Sequence, residues 1–320
     1  MHALRLGAGI LPFATWLLSV HVAAAANRDW RRGVAFGTVI YGLLVAVGTE
    51  ILSLLGFISP VGLLSLYAVF LLAIAWILWR RIVPLRAPVP SLLWANWWVR
   101  GGFGVAVLSL LVAVVSPPNN WDSMTYHMAR VAHWAAQGHV SYYATQVERQ
   151  LYSQTWAEFA ILHTYVLTGG DRWANLVQWA SMCVSVVLVT LVARNLGLSR
   201  RGQLLAGSIA LTLPMGLTQA ATPQNDYVAA MWVTLLAALV TDATWIRRPT
   251  VFGPLAAGAV VGLAAMTKAT TYFFLGPLLL WLLVRWARHH DFRRLASGVV
   301  CAAVPAILLL APGVIRNIQL

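Results

Sequence analysis

Charged side chains are scarce in this sequence. Only 10% of the 320 residues are Asp, Glu, Lys or Arg, whereas 60% are hydrophobic. A soluble globular protein carries charge on roughly a quarter of its residues, because its surface must stay hydrated. The shortage of charge therefore excludes a soluble domain. The apolar residues instead occur in runs that are long enough to cross a bilayer, which takes about 20 helical residues.

Cysteines and nucleotide-binding motifs are also nearly absent. The two cysteines, Cys183 and Cys301, each lie inside an apolar run, so the sequence has neither a disulfide framework nor the spacing of a metal site. No stretch follows the Gly-x-x-x-x-Gly-Lys-Ser/Thr pattern that would support a cytoplasmic nucleotide site. The net charge of +13 comes from arginines in short clusters between apolar runs. That pattern is typical of membrane-protein loops rather than of nucleic-acid binding, so we expect no nucleic acid as a partner.

Ten apolar runs predict an all-α fold, a polytopic transmembrane helical bundle of about ten spans. They cover residues 4–26, 34–57, 61–79, 97–115, 173–193, 203–221, 227–245, 251–267, 270–288 and 295–313. The first run ends in four alanines, as some cleaved signal peptides do. The distribution of basic residues favours instead a segment that is retained as a membrane anchor.

Basic residues fall mostly on one side of this predicted map. Cytoplasmic loops are enriched in Lys and Arg, so we place the loop at 28–32 inside. Six basic residues then lie outside, namely Arg5, Arg130, Arg149, Arg172, Lys268 and Arg316. The other 16 of the 22 lie inside, namely Arg28, Arg31, Arg32, Arg80, Arg81, Arg86, Arg100, Arg194, Arg200, Arg201, Arg247, Arg248, Arg285, Arg288, Arg293 and Arg294. The sequence therefore predicts a multi-pass protein of the inner (plasma) membrane, with its long polar segment 116–172 outside.

An amphipathic helix is predicted at the start of that outer segment. Asn120 is a suitable N-cap for it, and Gly138 is a suitable stop. Residues 122–137 carry apolar side chains on one face and polar side chains on the other, which is typical of a helix lying in the membrane interface. The apolar face holds Met124, Met128, Val131 and Ala135, and the polar face holds Tyr126, Arg130, His133 and Gln137.

A shorter apolar stretch follows at 156–168. If it crossed the membrane, every later basic loop would move to the outside. We therefore expect it to lie on the outer face or to dip into the membrane and return. Three carboxylates of the outer segment, Glu148, Glu158 and Asp171, are expected to be solvated loop charges.

Four charged residues are predicted at the outer ends of different spans, namely Asp122, Asp226, Lys268 and Arg316. Taken singly, each has an ordinary explanation, such as an acidic residue at a helix N-terminus or a lysine that extends to the interface. Together they suit the transfer of a sugar from a lipid phosphate. A carboxylate can take the proton from an attacking hydroxyl, and cations can stabilise the phosphate that leaves.

The sequence around these residues resembles the GT-C membrane glycosyltransferases, the superfamily of protein O-mannosyltransferases and lipid A aminoarabinose transferases. The resemblance is carried by Trp121-Asp122-Ser123-Met124-Thr125-Tyr126-His127 with Arg130, by Gln224-Asn225-Asp226-Tyr227, and by Gly262-Leu263-Ala264-Ala265-Met266-Thr267-Lys268. It covers about residues 97–317. It implies a GT-C-like seven-helix module over 97–320 with the outer loop 116–172, preceded by three extra transmembrane helices and a basic cytoplasmic loop over 1–96.

The resemblance also implies a function and roles for individual residues. Asp122 would be the catalytic base. The substrate-binding residues would be Asp226, Lys268, Arg316, Arg130, His127 and Tyr126, with Lys268 and Arg316 beside the lipid phosphate. The implied partners are a polyprenyl-phosphate-linked sugar, a glycan, lipid or protein acceptor, and membrane lipids. The expected activity is hexosyl or pentosyl transfer on the extracytoplasmic face.

Metal use and two other functions stay open at this point. His127, His133 and His139 are six residues apart and make a poor metal cluster, so no metal ligand is assigned and a divalent metal is only an alternative. A transporter or flippase of a lipid-linked glycan would place ionisable groups near the middle of the spans, where only Glu50 comes close. A non-catalytic membrane assembly subunit would be inactive without its partner.

Overall fold

The computed structural model describes residues 7–81, 96–247 and 251–318, with the side chains of Arg80 and Arg81 left undescribed. Within these ranges the chain is helical and contains no β-strand. Arg5, Arg86 and Arg248, which the sequence assigned to a side of the membrane, lie outside the described residues. The helices are α1 (Ile10–Asn27), α2 (Trp30–Leu54), α3 (Pro60–Arg81), α4 (Trp97–Val115), α5 (Met128–Gln137), α6 (Arg149–Tyr152), α7 (Trp156–Thr168), α8 (Asn175–Asn195), α9 (Arg200–Leu211), α10 (Pro214–Ala220), α11 (Asp226–Thr241), α12 (Ala243–Ile246), α13 (Phe252–Ala265), α14 (Thr271–Ala287) and α15 (Phe292–Ile318).

Six of these helices are long and apolar enough to cross a membrane, namely α1, α2, α3, α4, α8 and α15. Three more, α11, α13 and α14, are apolar but have fewer than 18 residues. The prediction of one continuous span at 203–221 is wrong, because that run is divided into α9 and α10. The break falls at Pro214, whose ring restricts the residue before it to a non-helical conformation. The predicted membrane bundle is thus confirmed, whereas the number of about ten spans is only partly reproduced.

Loops that the sequence placed on one side meet at one end of the bundle, here called the basic end and comprising residues 28–32, 194–203 and 242–247. Asp29 accepts a hydrogen bond from Arg194 at 2.6 Å, and Arg32 pairs with Asp242 at 2.9 Å. Arg31 donates to the side-chain oxygen of Gln203 at 2.7 Å. These bonds tie the ends of α2, α8, α9 and α11 together, as the alternation of basic loops predicted.

The opposite end, here called the site end, gathers residues 50–58, 116–172, 222–226, 266–270 and 316–318. The Ile58 amide donates to the Gly138 carbonyl at 2.9 Å, which joins the α2–α3 turn to the long polar segment. The side chain of Asn175 donates to the Ser116 carbonyl at 2.8 Å. The polar segment therefore covers this end of the bundle.

Small residues allow two helix pairs to approach closely. On α2, Gly37 lies against the backbone of α1, and on α13, Gly258 lies against the carbonyl oxygen of Ala302 on α15. A Cβ at either position would overlap the neighbouring helix. Close approach at small residues replaces the hydrophobic driving force that helices lack in lipid.

The short apolar stretch at 156–168 forms α7, a helix that is buried along nearly its whole length. Its Trp156 indole donates to the carbonyl of Gly42, in the middle of α2, at 3.0 Å. Two turns later on the same side of α7, His163 pairs with Thr49 of α2 at 2.9 Å. The equal sequence offset of 114 residues in both contacts shows that α7 runs parallel to α2, towards the site end. This position fits a segment that enters the bundle and returns, not one that lies exposed on its surface.

Candidate functional site

The long polar segment begins with the predicted helix and an additional π-helical turn. The side chain of Asn120 accepts a hydrogen bond from the Ser123 amide at 2.7 Å, and Gly138 ends α5 with φ 77°. Both predicted boundaries are confirmed. Residues Ser123–His127 form a π-helical turn directly after Asp122. Such turns occur frequently at functional sites.

The π-helical turn changes which side chains face the core. Because it holds an extra residue per turn, the residues on either side of it are rotated relative to a regular helix. Met124, predicted on the apolar face, is 58% exposed, whereas Arg130, predicted on the polar face, is fully buried. Met128 and Val131, which follow the turn together with Arg130, are buried as predicted, so the assignment of Arg130 to a polar face is wrong.

A buried charged triad holds this helix against α7. Glu158 of α7 accepts a hydrogen bond from His127 at 2.8 Å and another from Arg130 at 3.2 Å. All three residues are at most 1% exposed. The prediction that Glu158 is a solvated loop charge is wrong, because its helix is inserted into the bundle.

The triad keeps Glu158 ionised. Burial alone would raise the pKa of this carboxyl, but Arg130 and His127 favour the charged form, and together they hold the pKa below its usual value. A buried charge is tolerated only when it is paired and hydrogen-bonded in this way.

Arg130 is occupied by protein groups rather than open to a ligand. Besides Glu158, its guanidinium donates to the carbonyls of Ser153 and Gln154 at 2.8 and 2.9 Å, and it lies 4.7 Å from the ring centre of Trp134. Arg130 therefore fixes the chain before α7. Substrate contact, which the resemblance implied for Arg130 and His127, stays a prediction. Both side chains are at most 1% exposed, and Arg130 also lines the pocket described below.

Asp226 and Lys268 form an ion pair at the site end. Asp226 is the first residue of α11, and Lys268 lies in the turn between α13 and α14; their charged atoms are 2.5 Å apart. The two side chains are 43% and 31% exposed. The side chain of Asn225 donates to the Thr267 carbonyl at 3.0 Å and so joins the two turns. The sequence predicted that these turns meet.

Tyr126 connects this pair to Asp122. Burial, followed by the negative charges of Asp122 and Glu158, raises the pKa of the Tyr126 hydroxyl to about 12, and Asp226 contributes in the same direction. The guanidinium of Arg149 lies 5.9 Å from the Tyr126 ring centre. Tyr126 is thus a neutral hydroxyl donor in the field of carboxylates from two chain segments about a hundred residues apart.

Arg316 lies in a separate pocket of about 110 Å³ beside this group. It is in the last turn of α15, not after the helix as the sequence predicted. Its two terminal nitrogens bind both carboxylate oxygens of Glu50 at 2.7 and 2.8 Å. The pocket is lined by Arg130, Trp134, Val140, Ser141, Tyr142, Gln150, Leu151, Tyr152, Ser153, Gln154, Thr155, Ala265, Met266, Tyr272, Leu309, Leu310, Gly313, Val314, Arg316 and Asn317.

The four residues of the predicted constellation therefore form two groups. Asp122, Asp226 and Lys268 belong to the group around Tyr126, whereas Arg316 lines the pocket. The two groups are connected by Gln150, which lines the pocket and donates to the Thr125 carbonyl at 2.6 Å. Within the described residues, no group of three or more His, Cys, Asp or Glu side chains is arranged to hold a metal ion.

Sequence reasoning missed the roles of Glu50 and Glu158. A signal for each was present, because both are lone carboxylates in apolar stretches, and a charge in such a place needs a partner. The partners themselves could not be identified, since Arg316 is 266 residues from Glu50.

Comparison with known proteins identifies a family for this chain. The family model described as dolichyl-phosphate-mannose-protein mannosyltransferase matches residues 156–315, half of the chain. The matched part includes Glu158, Asp226 and Lys268, and it leaves out Asp122 and Arg316. No curated protein and no solved structure matches the chain.

Proposed function

The chain belongs to the dolichyl-phosphate-mannose-protein mannosyltransferase family, and from this premise we propose that it transfers a sugar from a polyprenyl-phosphate carrier to an acceptor on the extracytoplasmic face. Family membership makes the protein a membrane glycosyltransferase of the GT-C type. The proposal adds the lipid-phosphate donor, the side of the membrane, and Asp122 as the catalytic base. The acceptor is the hydroxyl of a glycan, a lipid or a protein.

The convergence of Asp122 and the Asp226–Lys268 pair on Tyr126 is the observation that carries this proposal. The charges of Asp122 and Asp226 both act on the Tyr126 hydroxyl, and Lys268 is bonded to Asp226. This supports a base for the acceptor and a cation for the phosphate at one end of the bundle. A lipid phosphate places its head group at the end of such a bundle while its tail stays in the bilayer.

In the proposed reaction the acceptor oxygen forms a bond to the anomeric carbon as the bond from that carbon to the phosphate oxygen breaks. The hydroxyl proton goes to Asp122, and the bonding electrons leave with the phosphate. Lys268 stabilises the negative charge that develops on this leaving group. Direct displacement inverts the configuration at the anomeric carbon.

Asp122 suits the role of base better than Asp226 does. Asp226 is already bonded to the Lys268 ammonium and holds it in place. Asp122 is only partly buried, and within the described ranges it has no ion-pair partner. We therefore assign proton transfer to Asp122 and positioning of Lys268 to Asp226.

Substitution of Asp122 by asparagine tests the proposal. The purified protein in nanodiscs is given a synthetic polyprenyl-phosphate sugar with candidate acceptors, and the transferred sugar is counted. We expect Asp122→Asn to reduce transfer by about 10²- to 10⁴-fold, the usual contribution of a catalytic base, while polyprenyl phosphate still binds. Asp171→Asn is the matched control, because Asp171 is an exposed carboxylate of the same outer segment.

Unchanged transfer by Asp122→Asn would remove this residue from the mechanism. Loss of transfer in the Asp171→Asn control as well would show that the outer segment is merely sensitive to any change. In the same nanodiscs, movement of the lipid between leaflets without sugar transfer would instead favour the flippase alternative.

A further inference from the structure

The Arg316 guanidinium is bound by a carboxylate of the protein itself, that of Glu50. Its two terminal nitrogens each bind a different oxygen of Glu50, at 2.7 and 2.8 Å, which is the paired geometry of a strong arginine–carboxylate contact. The side chains are only 17% and 14% exposed. Bulk water therefore weakens this pair less than it weakens a surface salt bridge.

Arg316 forms part of the edge of the pocket at the site end, and Glu50 lies behind it. Arg316 lines the pocket together with Asn317, Gln150 and Tyr272. Glu50 comes from α2, which lies outside the part of the chain that the family model matches. The carboxylate that blocks this arginine is thus supplied by the N-terminal helices.

Of the five N–H donors of the guanidinium, the two on its terminal edge bind Glu50, and a phosphate that binds this edge needs the same two. Arginine binds phosphate as it binds carboxylate, through two parallel hydrogen bonds from its planar fork. Phosphate and Glu50 therefore compete for Arg316. Lys268 differs, because its ammonium group has three N–H donors and can keep its bond to Asp226 while it donates to a phosphate oxygen.

We propose that Glu50 occupies the phosphate position on Arg316 in the empty site and is displaced when the lipid-phosphate donor binds, so that Glu50 sets the affinity for the donor. This inference rests on the proposed function. In the empty site Glu50 neutralises a largely buried guanidinium, which would be costly if left unpaired. When the phosphate arrives, it supplies the negative charge in place of Glu50.

Competition between Glu50 and phosphate should affect both donor binding and product release. The donor and the lipid phosphate that is released carry the same charged group, so return of Glu50 to Arg316 also assists product release. A site without the Glu50 charge would bind the donor more tightly and would retain the product longer. Its KM for the donor would fall, and inhibition by added polyprenyl phosphate would become stronger.

Binding of a short-chain polyprenyl phosphate to the full chain in nanodiscs tests the inference, with the uncharged polyprenol of equal length as the probe for the tail alone. Glu50→Gln keeps the shape and an acceptor oxygen but removes the competing charge. We expect it to bind polyprenyl phosphate about fivefold more tightly, equivalent to about 1 kcal/mol, and to bind polyprenol as the parent does. Glu50→Asp, which keeps the charge but shortens the reach, should give a smaller gain. Glu148→Gln removes an exposed carboxylate of the same end and should bind both probes like the parent.

Unchanged or weaker phosphate binding by folded Glu50→Gln would overturn the inference. If the pair were purely structural, its removal would lower the unfolding temperature without raising the affinity for phosphate. If Glu50→Gln fails to fold, the same criterion applies to Glu50→Asp. A parent protein that prefers polyprenyl phosphate over polyprenol, combined with no gain in either variant, refutes only the role of Glu50. A parent without that preference would refute the proposed donor as well.

Discussion

Arg130 should contribute strongly to stability, because its buried contacts hold the long polar segment against α7. It is fully buried, it pairs with the buried Glu158, and it donates to the carbonyls of Ser153 and Gln154. Breaking a buried ion pair from one side costs about 3–5 kcal/mol. We expect Arg130→Met to lower the free energy of unfolding by this amount, because it leaves Glu158 charged and two carbonyls without their donor. Glu158→Gln should cost less, since its amide oxygen still accepts from Arg130.

A double-mutant cycle separates the pair from its surroundings. Unfolding is followed by circular dichroism in mixed micelles with increasing SDS, for the parent, Arg130→Met, Glu158→Gln and the double variant. We expect the double variant to cost less than the two single changes added together, by about 1–3 kcal/mol. Arg172→Met is the matched control, because Arg172 is exposed in the same segment and should change stability by about 0.5 kcal/mol at most.

Two outcomes would refute this reasoning. If Arg130→Met is as mild as Arg172→Met, the buried guanidinium does not stabilise the segment before α7. If the single effects simply add, Arg130 and Glu158 are not coupled and the triad does not act as a unit.

Two further predictions use the same unfolding assay. The pKa of Glu158 in the folded protein is held below its ordinary value of 4.5, so its stabilising effect is complete above about pH 4.5 and is lost as the pH falls through the folded pKa. The parent should therefore lose stability below pH 4.5 more steeply than Glu158→Gln, which keeps Arg130 and His127; parallel curves would show that Glu158 is not the group responsible. Gly258→Ala should cost about 1–3 kcal/mol through overlap with α15. Gly104→Ala on α4, where no atom of another part of the chain lies within 4 Å of the added Cβ, should be neutral or slightly stabilising. Equal effects would contradict the close contact of α13 with α15.

The sequence predicts the membrane bundle because hydropathy and basic loops are properties of single segments. Long apolar runs give helices such as α2 and α15, and the alternation of arginines predicts which loops meet at the basic end. The proximity of Lys268 and Asp226 is predictable in the same way, since the alternation of spans places both of their turns at the same end of the bundle.

Properties that depend on two distant segments could not be predicted. The π-helical turn at Ser123–His127 rotates the helix that follows it, and the periodicity of residues 122–137 does not predict that rotation. The distribution of basic loops argued against a span at 156–168, yet only the packing against α2 shows that α7 is inserted into the bundle. The choice of partner for Glu50 likewise depends on tertiary contact.

The burial of α7 has a consequence for how the protein is made. A helix of 13 residues is about 20 Å long, too short to cross a hydrocarbon layer of about 30 Å. It also carries an imidazole, that of His163, which would be costly against bare lipid, and it finds hydroxyl partners in Thr49 and Tyr67 on helices that the ribosome delivers earlier. The first helices of the chain thus supply the polar partners that α7 needs, and we expect the insertion of α7 to depend on them.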